Sequence, residues 1–137
     1  MDAQGAGPAI GGNAVVLQPG TPFEDRLARA VAAWAGRDRA DDLLVTGTAF
    51  FAAHLWRFAV EREGRLLDEL TLAYLDASYR GIGGAEGWSA MLLPRVRCAC
   101  HGERWRVENI AICLGCLRYR CTDAGRECTA CGGRTVG

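Results

Sequence analysis

The residues able to do chemistry gather near the end of the chain. From Cys113 to Cys131 it reads CLGCLRYRCTDAGRECTAC, with two Cys-x-x-Cys pairs, Cys113/Cys116 and Cys128/Cys131, separated by eleven residues. Two thiolates three positions apart on a tight turn can bite one metal ion. A second such pair completes a tetrahedral four-cysteine shell, the usual closed site of a structural zinc. The spacer centres on Thr122-Asp123-Ala124-Gly125, a polar turn signal after the strand-like LRYR. A hairpin turning there is expected to set Cys116 opposite Cys128. A disulfide framework is the competing reading of these thiols.

Cys98, Cys100 and His101 form a second potential ligand group, reading CACH. Cys98 and Cys100 would share one face of a strand. Cys121 lies five residues past Cys116, roughly 16 Å away if extended, so it competes poorly for the first ion. It could join Cys98, Cys100 and His101 around a second metal, giving one zinc or two. The blander alternative is that these are small buried side chains.

Three Arg-apolar-Arg triplets accompany the cysteines: Arg95-Val96-Arg97, Arg104-Trp105-Arg106 and Arg118-Tyr119-Arg120. In a strand each sends two guanidinium groups to one face and its apolar residue to the other. If all three share a sheet in register, six Arg line one surface, while Val96, Trp105 and Tyr119 face a core beside Cys98 and Cys100. Guanidinium forks suit phosphate, so such a face is an expected nucleic-acid footprint. A solvated face, or one docked on acidic helices, is the alternative.

Composition narrows the chemistry. The 137 residues include no lysine, so all 16 basic residues are Arg. That excludes a Walker A loop, a Schiff base and a protein-kinase site. Together with 18 Gly it suggests a GC-rich bacterial genome. Formal net charge is zero, but residues 1–93 carry eight Arg against twelve acids, a net of −4, and residues 94–137 carry eight Arg against four acids, a net of +4. Such halves either dock on each other or leave the C-terminal one for an anion. No signal peptide is visible, and an odd count of 7 Cys argues against full pairing, so the expected compartment is the reducing cytoplasm.

No catalytic residue emerges. His101-Gly102-Glu103 followed by Cys113 and Cys116 imitates the H-x-E and C-x-x-C of zinc deaminases, but nine residues between the parts leave no room for the elements that position them. Cys128 and Cys131 would also close the open coordination position. His54 sits in an apolar stretch and reads as a core residue. Gly81-Ile82-Gly83-Gly84 lacks dinucleotide-loop spacing, and Gly87-Trp88-Ser89-Ala90-Met91 has Met where a nucleophile elbow needs Gly.

The elements that must position these groups are helical first and strand-like later. Residues 1–13 read as a disordered tail and Ala14–Leu17 as a short extended piece. Thr21-Pro22-Phe23-Glu24 signals a helix start, with Glu24 completing a capping box. Phe23, Leu27, Ala30, Val31 and Trp34 follow at helical spacing to Gly36. A second helix is expected after Asp38–Asp42, running to Gly64. Its apolar window 43–60 is short of the roughly 20 residues of a bilayer span and holds His54 and Arg57. A third, Arg65–Tyr79, should pack Leu66, Leu67, Leu70, Tyr74 and Leu75 inward. Gly81–Gly87 reads as a flexible joint. The expected fold is therefore α+β, with a tail over 1–20, a three-helix unit over 21–87 and a metal-bound β module over 88–137.

The Cys113–Cys131 segment resembles the zinc ribbon family, above all in its second knuckle, Cys-Thr-Ala-Cys-Gly-Gly. The resemblance implies a small β-hairpin unit whose two knuckles clasp one zinc through Cys113, Cys116, Cys128 and Cys131. The short spacer and the lack of proline in either knuckle depart from the pattern and leave rubredoxin-like iron or a treble-clef variant open. Zinc ribbons serve nucleic acid, protein partners and enzyme scaffolds alike. Two functions are therefore expected in competition: non-catalytic polyanion binding by the Arg-rich module, or a protein–protein adaptor whose helices grip a partner while zinc only staples the fold.

Overall fold

The apolar stripe Phe23, Leu27, Ala30, Val31 and Trp34 recurs at helical spacing, and every one of these side chains is buried on a single face of a helix. The computed structural model describes residues 12–18, 22–99, 101–106, 109–121, 128 and 131–137. In it α1 spans Gly12–Val16, α2 Phe23–Gly36, α3 Gly47–Arg62, α4 Glu69–Gly81 and α5 Gly84–Leu92, with a 3-10 turn at Asp41–Leu43. The strands follow: β1 Arg95–Arg97, β2 Arg104–Arg106, β3 Ile110–Cys113, β4 Tyr119–Cys121 and β5 Thr135–Val136. The fold is α+β, as expected.

Helix α3 is the central element. Ala49 to His54, Trp56, Ala59 and Val60 are buried around most of its circumference. It begins only at Gly47, because Asp41–Leu43 forms the separate 3-10 turn. No helix among the described residues is long and apolar enough to cross a membrane. At its C-terminus Gly64 takes φ +80° and the Arg65 N–H donates to the Val60 carbonyl, a Schellman closure. The chain then returns along α3: Arg57 meets Asp76 at 3.1 Å and Phe50 stacks near Tyr79.

Several local expectations are corrected. Gly12–Val16 is helical rather than tail or extended, and Asn13 anchors it by exchanging hydrogen bonds of 2.7 Å with the Thr46 backbone and hydroxyl. α2 starts at Phe23 with no side-chain cap at Pro22, Thr21 of the expected capping box lies outside the described residues, and Glu24 forms an ion pair of 2.7 Å with Arg65. Leu66 is 97% exposed, because α4 starts at Glu69, where Asp68 caps the Thr71 N–H. The glycine-rich 81–87 stretch is no loose joint, since α5 begins at Gly84 and crosses residue 87. Gly87 is needed there, because a Cβ would lie 1.8 Å from the Ile82 carbonyl oxygen. Trp88, one turn into α5, packs on Phe50 and Phe51.

One main core runs through both halves. Ile112, Leu114, Leu117 and Val136 from the strands and their turns belong to the same buried cluster as the faces of α2, α3 and α4. The strands make two sheets, β1-β2 and β4-β3-β5, all antiparallel. A smaller core of Cys98, Ile110 and Cys121, flanked by Val96, Trp105 and Tyr119, lies between them.

Candidate metal centres

Cys113 ends β3, and the chain turns back at once into β4. The Cys113 N–H donates to the Arg118 carbonyl (3.0 Å) and its own carbonyl accepts from Leu117 (2.7 Å), whose φ is +60°. The same turn recurs at the second pair. Cys128 donates to the Gly133 carbonyl (2.8 Å) and accepts from Gly132 (2.7 Å), with Gly132 at φ +76°. Each turn thus presents sulfurs at its first and fourth residues to the same point.

The four Sγ atoms of Cys113, Cys116, Cys128 and Cys131 lie within 4.8 Å of one another, with Cys113–Cys131 at 3.5 Å and Cys116–Cys128 at 3.9 Å. A tetrahedral ion with metal–sulfur bonds of about 2.3 Å requires edges of about 3.8 Å, so the donor set fits. Backbone N–H groups support the sulfurs: Gly115 and Cys116 donate to Cys113 Sγ, and Gly133 to Cys131 Sγ. The two turns close face to face through glycine, since a Cβ on Gly133 would stand 2.8 Å from Gly115 Cα. The six described cysteines form no disulfide. Cys116 adjoins Cys128 as expected, although the proposed turn at Thr122–Gly125 lies outside the described residues.

Arg26 is the residue that sequence reasoning missed. It is fully buried on the inner face of α2 and donates to the carbonyls of Val16 (2.8 Å), Leu114 and Gly115 (3.3 Å). Burial lowers its pKa, and the neighbouring Cys113 and Cys131 sulfurs oppose that shift. Burial likewise pushes the Cys113 thiol up to about 12 and raises that of Cys116. A divalent ion held by four thiolates would carry a net of −2, and Arg26 would be its buried counter-charge. The signal was available: Arg26 falls three residues after Phe23, on the buried phase of the helix.

The second ligand group is partly as expected. Cys98 Sγ, His101 Nδ1 and Cys121 Sγ lie within 4.8 Å of one another, His101 Nδ1 being 3.9 Å from Cys98 and 3.2 Å from Cys121. Cys100 lies outside the described residues.

The single six-Arg surface is not formed. β1 and β2 pair as an isolated hairpin, with Arg95 opposite Arg106 and Arg97 opposite Arg104. The third triplet belongs to the other sheet. Arg118 precedes β4 and is exposed. Arg120 is buried and donates to the Thr135 hydroxyl, because small Ala111 opposite it lets the guanidinium reach across β3. Arg134 is spent on Glu63 at the C-cap of α3. Val96, Trp105 and Tyr119 do pack inward, against Cys98, Ile110 and Cys121. His54 is buried among Phe50, Phe58, Tyr79 and Trp88, a core histidine.

No protein-family model, curated protein or solved structure matches this chain, so its function rests on these sites.

Proposed function

We propose that this is a non-catalytic, zinc-stapled polyanion-binding protein. Zinc held by Cys113, Cys116, Cys128 and Cys131 fixes the β4-β3-β5 sheet on the helices. The outer face of the β1-β2 hairpin, carrying Arg95, Arg97, Arg104 and Arg106, grips the phosphates of nucleic acid. A reducing compartment such as the cytoplasm keeps the thiols available to the ion.

The observation that carries this reading is the cross-strand placement of like charges. Arg95 faces Arg106 and Arg97 faces Arg104, an arrangement that costs stability in isolation. No carboxylate of the described residues forms an ion pair with Arg95, Arg97 or Arg104. A row of phosphates turns that repulsion into attraction at the exposed forks of Arg95, Arg97 and Arg104. Trp105 and Tyr119 pack inward and leave the face without a stacking platform, so the chemistry favours backbone phosphate over base identity.

The test is a fluorescence titration with short single- and double-stranded oligonucleotides at two salt concentrations. Each phosphate contact removed by Arg→Ala should reduce the slope of log affinity on log salt by about 0.7 for single strands or 0.9 for duplex. Trp105→Ala and Tyr119→Ala should destabilise the fold instead. Binding weaker than about 100 µM at low salt falls below ordinary non-specific affinity and gives the case to the adaptor.

A further inference from the structure

We propose that Cys98, His101 and Cys121 hold a second zinc ion, and that this ion fastens the arginine hairpin to the body of the protein. The backbone makes the first argument. Cys98 donates its N–H to the Glu103 carbonyl (2.8 Å) and its carbonyl accepts from Gly102 (2.9 Å), with Gly102 at φ +71°. These are the bonds, at the same offsets, that shape the turns at Cys113 and Cys128. In all three the metal-facing side chains stand at the first and fourth positions, and the fifth takes a left-handed φ. The described residues therefore form three such turns, and the one at Cys98 presents Cys98 and His101.

The donor atoms make the second argument. Separations of 3.9 Å and 3.2 Å between sulfur and Nδ1 bracket the edge of about 3.6 Å that bonds of about 2.3 and 2.05 Å require. The Cys121 N–H donates to Cys98 Sγ at 3.1 Å, as Gly115 does to Cys113 in the first centre. Two thiolates and a neutral imidazole balance a divalent ion, so the nearby guanidinium face keeps its charge. Cysteine and histidine together select zinc over the hard cations.

Topology gives the consequence. The Cys98–Glu103 knuckle is the turn of the β1-β2 hairpin, whereas Cys121 belongs to β4 of the other sheet. A two-stranded hairpin of three paired positions is marginal alone. Among the described residues the Ala99 N–H to the Tyr119 carbonyl (2.8 Å), the small core around Ile110 and the contact of Val96 with the main core also attach it. An ion taking ligands from both sides locks the hairpin down.

The effect on anion affinity rests on the proposed function; the metal count and the fastening do not. The experiment compares the full wild-type chain with His101→Ala and His101→Cys. His101 is exposed, so its loss spares the main core, and helicity by circular dichroism checks that. Elemental analysis should find two equivalents of zinc in wild type, one in His101→Ala, and two in His101→Cys, which rebuilds a Cys-x-x-Cys knuckle. With no lysine present, trypsin probes the hairpin at its own arginines. Cleavage between Arg95 and Arg106 should be at least about tenfold faster in His101→Ala and return to the wild-type rate in His101→Cys. Wild type with one equivalent, or His101→Ala with two, overturns the site. Loss of one equivalent with unchanged cleavage overturns the fastening role. Oligonucleotide affinity should fall in His101→Ala; a wild type that binds none refutes the polyanion reading alone.

Discussion

Gly133→Ala tests whether the four-cysteine centre depends on two turns closing face to face. The added Cβ would sit 2.8 Å from Gly115 Cα and 2.9 Å from both Cys113 Sγ and Gly115 N. Relaxed carbon contacts lie at about 3.5–4.0 Å, so the shortfall is roughly 0.7 Å or more against backbone that has no rotamer to yield. Gly133 does not need a positive φ, so the substitution acts by bulk and not by backbone strain. The knuckles must part by more than the roughly 0.2 Å that ligand distances tolerate. Because the metal-free protein can separate them freely, the cost falls on metal binding. Overpacking of about 1–3 kcal/mol corresponds to zinc affinity weaker by about 5- to 150-fold. Competition against a chromophoric chelator reads this directly. Gly36→Ala is the control, since a Cβ there meets nothing within 4 Å. Zinc affinity of Gly133→Ala within about threefold of wild type would refute the geometry.

The local chemistry was legible where spacing alone determines it. Cys-x-x-Cys fixes two sulfurs on one turn whatever the rest of the chain does, and the stripe from Phe23 to Trp34 fixes one face of α2. What escaped depends on who lies across a gap. Nothing in Arg118-Tyr119-Arg120 says that β4 joins β3 rather than the β1-β2 hairpin, so the triplet alone does not tell which surface its arginines line. Spacing ties Glu24 to its nearest backbone, while Arg65, 41 residues on, holds it. The glycines of 81–87 suggested looseness, but Gly87 is there for close packing. The Cys98–His101 knuckle was legible in principle: Cys128-x-x-Cys131-Gly132 and Cys98-x-x-His101-Gly102 share their spacing and their glycine. Strand parity groups Cys98 with Cys100 and gives no sign of that turn.

Arg26→Met keeps length and removes the buried charge and its carbonyl bonds; it should cost about 3–5 kcal/mol and weaken zinc binding, and unchanged zinc affinity would refute the counter-charge role. Leu117→Gly relieves left-handed strain of about 1 kcal/mol but strips a buried side chain worth about 2–3 kcal/mol. Urea unfolding should show a net loss, and a gain would refute it. Burial, with a smaller push from Arg57, lowers the His54 pKa from its ordinary 6.5 to about 4. The unfolded chain therefore takes up a proton that the folded one refuses, and stability present above pH 6.5 is lost as pH falls toward 4, by on the order of 3 kcal/mol. His54→Leu should lack that part of the acid slope, and an identical slope in both proteins would contradict the assignment. A β module hung on an independent helical unit should unfold alone on chelation. Here Leu114 and Leu117 of the first knuckle sit in the main core, and Arg26 of α2 bonds that knuckle's carbonyls. Losing the ion thus opens the core from inside. Structural zinc contributes on the order of 10–16 kcal/mol of apparent binding energy, as much as the whole stability of about 5–15 kcal/mol of an ordinary domain. Chelation should therefore lower the melting temperature of the helical far-ultraviolet signal itself, in one cooperative transition. A helical melt that stays in place while the zinc leaves would show that the shared core does not couple the two halves.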